Sequence, residues 1–147
     1  MSTRAATSLA ALAAIAFSLS LPLVAQEPRP EAVVAQSVRN GADIFRMYCA
    51  SCHGASARGD GPLADAMRRR PPNLTELRKR NNNAFSSELV YRIIDGREKV
   101  RGHGGPDMPV WGDAFSRSLE GTGEDAIRAR IQALVDYLES IQARETQ

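Results

Sequence analysis

The sequence predicts an all-α domain: several short helices joined by long glycine-rich loops and gathered around a large bound cofactor. Three observations point there. Apolar residues recur at spacings of three and four, and no run alternates as a half-buried strand would. Residues 102–112 alone hold four glycines and two prolines, and loops of that kind are uncommon in a compact domain unless something organises them. The apolar helix faces are too few to make a self-sufficient core.

Composition sets the bounds. A chain of 147 residues has room for one ordinary domain. Its 43% hydrophobic and 24% charged residues fit a globular protein, not a disordered or polytopic one. A net charge of +2 and 5% aromatic residues argue against nucleic acid as a partner. Two cysteines exclude a disulfide-rich scaffold and a four-cysteine metal site.

In chain order, residues 1–25 read as a signal peptide: Arg4, an apolar middle from Leu9 to Phe17, and small residues before Gln26. The alternative is an uncleaved anchor, since Ala5 to Ala25 is just long enough to span a bilayer. Pro22 and the interior serines favour cleavage. Either way the domain is exported, with the periplasm as its expected place. Residues 26–36, with Pro28 and Pro30, are expected to be an extended leader, and residues 37–147 the folded domain. A helix begins near Ser37 or Asn40 and runs into Cys49, with Val38, Gly41, Phe45, Tyr48 and Cys52 on one face. Leu63 to Arg70 reads as a short helix stopped by Pro71-Pro72. Ser86 or Ser87 caps a helix carrying Leu89, Val90, Ile93 and Ile94, and Gly96 lies just past its end. Thr122 and Asp125 offer a cap for the last helix, whose stripe is Ile127, Ile131, Leu134, Val135, Leu138 and Ile141.

The chemistry sits in Cys49-Ala50-Ser51-Cys52-His53, a C-x-x-C-H run that reads as covalent haem attachment. On a helical turn these positions lie on one side. Two thiols can then bond the two vinyl groups of one porphyrin while the imidazole reaches the iron. A redox dithiol would need a strand–helix setting, and a zinc site lacks ligands, with only His103 left as a nitrogen donor.

Over Asn40 to Ile141 the chain resembles the single-haem class I cytochromes c. The likeness is carried by Asn40-Gly41-Ala42-Asp43-Ile44-Phe45, by Cys52-His53-Gly54 with Gly59-Asp60-Gly61-Pro62, and by Pro71-Pro72-Asn73-Leu74-Thr75. Leu89 to Gly96, Met108-Pro109-Val110-Trp111-Gly112 and Val135 to Ser140 complete it. The resemblance implies a cytochrome c-like fold, with three or more short helices wrapped around one covalently attached haem c. It implies His53 and Met108 as axial ligands, a soft thioether suiting ferrous iron. His103 is the rival to Met108; Met47 and Met67 read as core filler.

The resemblance also implies that a proline carbonyl accepts the other ring N–H of His53, fixing the ring. Pro62 is the first choice, with Pro71 and Pro72 behind it. Trp111 is expected to cover the haem or to bond a propionate, with core packing as its plain alternative. Gly41 and Phe45 mark where the first and last helices cross, with Phe45 near Tyr137.

The implied function is one-electron transport between redox partner proteins by a monomer that transforms no substrate. The alternatives are a haem subunit of a larger respiratory or dehydrogenase complex and a haem-based sensor or enzyme with an open iron position. A membrane contact is expected only if residues 1–25 stay attached. Residues 58–80 hold seven basic and three acidic residues, whereas 113–147 hold seven acidic residues and four arginines. Arg68-Arg69-Arg70 and Arg78-Lys79-Arg80 are candidates to flank a docking face.

Overall fold

The computed structural model describes residues 30–97, 108–117 and 123–143. Among them there are six α-helices and no strand: α1 (Pro30–Tyr48), α2 (Ala50–His53), α3 (Leu77–Arg80), α4 (Ser87–Asp95), α5 (Trp111–Ser116) and α6 (Glu124–Ser140). Single 3₁₀ turns lie at Ala64–Ala66 and Leu74–Glu76.

The two long helices frame the molecule, and Gly41 is where they cross. A Cβ on Gly41 would sit 1.9 Å from the Ala133 carbonyl oxygen and 2.8 Å from the Tyr137 Cβ. Only glycine allows so close a backbone approach. One turn on, Phe45 is buried and meets the Tyr137 ring at a centroid distance of 5.3 Å. Towards the start of α1, the Ser37 hydroxyl donates to Asp136 at 2.5 Å, and the same carboxylate accepts from Gln132 at 2.7 Å. The α6 stripe expected from spacing is the core: Ile127, Ile131, Leu134, Val135 and Leu138 are buried, and Ile141 packs at its edge. α4 lays Val90 and Ile94 on it. It ends at Gly96, whose φ of +67° is the left-handed cap that glycine adopts without strain.

Five local expectations change. Residues 30–36, expected to be extended, form the first turns of α1. Pro30 is at home in a first helical turn, and Glu31 suits the positive end of the helix. Leu63 to Arg70 holds only the 3₁₀ turn Ala64–Ala66, entered at Leu63, whose N–H is turned back to the Ser51 carbonyl of α2. Trp111 opens a helix, not the end of a loop. Met47, read as filler, is 67% exposed, since α1 turns the neighbouring Phe45 inward. Ser86 stands at the α4 N-cap without a side-chain bond, and Gly123 takes that place in α6. Thr122 lies outside the described residues.

Candidate functional site

Cys49 stands between α1 and α2, and α2 is a single turn ending in His53. The bonds His53 N–H to Cys49 carbonyl and Gly54 N–H to Ala50 carbonyl, both 2.9 Å, fix that turn. Cys49, Cys52 and His53 therefore share one side of it. A helix this short leaves its carbonyls without partners, and the following loop supplies them. Gly59 donates to the His53 carbonyl at 2.8 Å, Gly61 to Cys52 at 3.3 Å and Leu63 to Ser51 at 2.9 Å. Gly61 is required there: its Cβ would lie 2.5 Å from the Ser51 oxygen.

The same loop carries the proline segment to the site. Gly59 approaches so closely that a Cβ would meet the Pro71 carbonyl oxygen at 2.1 Å. Leu74 N–H donates to the Ala57 carbonyl at 2.7 Å, and Ala57 is fully buried with a φ of +58°. A non-glycine residue held in that conformation is over-determined by its surroundings. Beyond it, Gln142 donates to the Leu74 carbonyl at 2.8 Å and Ala143 to that of Thr75. The end of α6 thus braces the proline segment from outside.

Electrostatics follow from this packing. Burial pushes the Cys49 thiol up to about 12, with Cys52 beside it acting in the same direction. Both cysteines are half-buried free thiols. Burial also holds the His53 imidazole below the ordinary histidine range, opposed by the Pro72 carbonyl. A neutral imidazole is the form that ligates a metal. Its Nδ1 is buried and closes no hydrogen bond, and Pro72 is the proline whose carbonyl acts on the ring. Pro72 is an alternative behind Pro62 among the expected acceptors, and Nδ1 donates to neither in this arrangement. Pro62 and Pro72 are both exposed, and the Gly59 approach with the Leu74–Ala57 bond lays Pro71-Pro72 along the loop that follows the histidine.

Met108 is half-buried against the core cluster. Two residues later, Gly96 supports the chain: a Cβ there would lie 3.3 Å from Val110 Cα. Trp111 packs into an aromatic group, 5.7 Å from the Tyr48 ring and 5.5 Å from Phe115. Tyr48 directly precedes Cys49, so this group stands at the start of the attachment turn. His103 lies outside the described residues.

The family model described as cytochrome C oxidase, cbb3-type, subunit III matches residues 36–138. The chain belongs to that family. No curated protein and no solved structure matches it. As a c-type cytochrome domain it carries covalently bound haem c and serves haem-based electron transfer. The residues present fit that group. This cytochrome domain offers two unpaired thiols and a neutral imidazole on one face of one turn, with a buried ring nitrogen awaiting an acceptor. From sequence Pro72 was a candidate but not the first choice, and the Asp95–Arg97–Glu124 contacts described below were not foreseen. The first had three candidate prolines; the second joins residues with no common period.

Proposed function

We propose that this domain is a periplasmic carrier of single electrons, holding one haem. Cys49 and Cys52 would hold it, each through one thioether bond, the S–H being added across a vinyl group with sulfur on one carbon and hydrogen on the other. His53 and Met108 would ligate its iron. When bound, the haem supplies a one-electron ferric–ferrous couple, and a histidine–methionine pair places its potential above that of a bis-histidine site. The protein's own part is to hold both ligands through the redox change and to exclude water, so that little reorganises.

Residues 1–25 direct export of the folded domain, whose first helix begins at Pro30. Among the described residues no helix is long and apolar enough to cross a membrane. Arg68, Arg69 and Arg70 are exposed on one side of the proline segment, and Arg78, Lys79 and Arg80 on the other. They give docking with an acidic redox partner a preferred orientation.

The observation that carries this reading is the single face shared by Cys49, Cys52 and His53. Met108→Ala tests the ligand set. The ferric protein is expected to lose the thioether–iron absorption band. The potential is expected to fall on the order of 0.1 V, a fraction of the range over which axial ligands tune haem. An unchanged spectrum and potential would refute it.

A second reading follows from the family's description, which names an oxidase subunit: the same electron chemistry within a permanent complex. Purification from the native membrane fraction in stable association with other chains would favour it; a soluble monomer favours the carrier.

A further inference from the structure

Where α4 ends, three charged side chains form a chain of contacts that the electron-transfer reading does not use. Asp95 is 9% exposed, an unusual depth for a carboxylate. Arg97 Nε donates to it at 2.8 Å. The far edge of the same guanidinium grips Glu124 in the first turn of α6, at 2.8 Å and 3.3 Å. Such a two-pronged pair is geometrically specific.

These groups press on the segment that follows Met108. A Cβ on Gly112 would lie 2.3 Å from Asp95 Oδ1 and 2.5 Å from Arg97 Nε. The ion pair therefore touches the first turn of α5 where only glycine leaves room. Gly96, between Asp95 and Arg97, lies under Val110. The chain leaving Met108 is thus pinned two and four residues on, both times against the end of α4. Arg97 in turn fastens that end to α6. With 9% of its surface exposed, Asp95 has little water to replace a lost partner, so removing the guanidinium would leave a buried carboxylate uncompensated.

We propose that Arg97, bridging Asp95 and Glu124, is a positioning residue that holds the Met108 thioether on the haem iron. This rests on Met108 being the sixth ligand. The α4–α5 corner is rigid while the bridge is closed. When it opens, Val110 and Gly112 lose their backing and the thioether competes less well for the iron. The ferric state responds more than the ferrous, because a soft sulfur donor binds ferric iron less strongly.

The test is displacement of the thioether from the ferric holoprotein by added imidazole, followed through loss of the thioether–iron band. Arg97→Gln is expected to lower the half-saturating imidazole concentration about tenfold, the shift that roughly 1.4 kcal/mol produces. Arg97→Lys, which keeps the charge but not the fork, is expected to recover part of it. Glu124→Gln removes only the exposed outer partner, so it leaves the buried Asp95–Arg97 pair in place; it is expected to move the midpoint in the same direction by less. Arg46→Gln, which breaks an exposed pair with Asp43 on α1, should leave the midpoint where it is. An Arg97→Gln midpoint equal to the parent's overturns the proposal. So does lowered thermal stability with unchanged imidazole binding, which would make Arg97 a brace of the fold alone. A parent protein with no thioether–iron band, its spectrum indifferent to Met108→Ala, refutes the ligand reading itself.

Discussion

At Gly41 and Gly61 the absence of one carbon decides the structure. The Gly41 Cβ position is occupied by the Ala133 carbonyl, which belongs to a helix backbone and cannot rotate away. Gly41→Ala must therefore separate α1 from α6, and Gly41→Val must do so further. Overpacking of this kind costs about 1–3 kcal/mol and more where backbone is struck. We expect the valine variant to lose about 3 kcal/mol, read as a lower guanidinium midpoint; an unshifted midpoint would mean the helices do not cross there. Gly61 is confined by the carbonyls of Ala50 and Ser51, inside the attachment turn. Gly123 is the contrast. A Cβ there meets nothing within 4 Å, and its φ of −73° and ψ of 148° are those of an N-cap. Gly123→Ser adds a hydroxyl for the free N–H groups of α6 and removes the freedom of a glycine in the unfolded chain. A stabilisation of about 0.5 kcal/mol is expected in the same titration, serine outranking glycine at this position by a few tenths.

Among elements, what was legible in sequence was whatever repeats along one helix. The Ile127-to-Leu138 stripe, the Phe45 face of α1 and the Gly96 cap were all readable from spacing, as was the C-x-x-C-H turn, whose residues are contiguous. The short helices α3 and α5 were not, because four to six residues make no period and owe their form to neighbours. The choice among the three prolines was ambiguous for the same reason: the Gly59 approach and the Leu74–Ala57 bond, which fix the path of Pro71-Pro72, are long-range. The link between α4 and α6 carries its own prediction. Arg97 holds the Glu124 carboxyl below the ordinary value of 4.5. Since the folded value is the lower one, the pair's contribution is full above 4.5 and is lost as pH falls through the depressed value. Glu124→Gln should therefore be less stable than the parent at neutral pH, with the gap closing in acid. A gap that persists unchanged at pH 3 would show that charge pairing is not its source.

For the whole molecule, charge and cofactor are the relevant quantities. The basic stretch 58–80 is only partly compensated, Arg80 by Glu76 at 3.6 Å and Arg78 by Glu139 at 3.9 Å. Arg68 and Arg69 are exposed as well. Steering by exposed charge is screened over about 8–10 Å at physiological salt, so the bimolecular rate with an acidic redox partner should fall steeply as salt rises. A rate indifferent to salt would remove the docking face. The account depends most on the haem itself, which explains why so few buried side chains suffice among the described residues and why the loop from Gly54 to Asn73 follows a defined path. The direct measurement is the haem-to-chain ratio after denaturation and extraction with acidified organic solvent, read from the alkaline pyridine spectrum. One haem retained per chain, and none in the Cys49→Ser, Cys52→Ser double variant, is the predicted result. A colourless chain with two free thiols, recovered from a host that matures other c-type cytochromes, would contradict it.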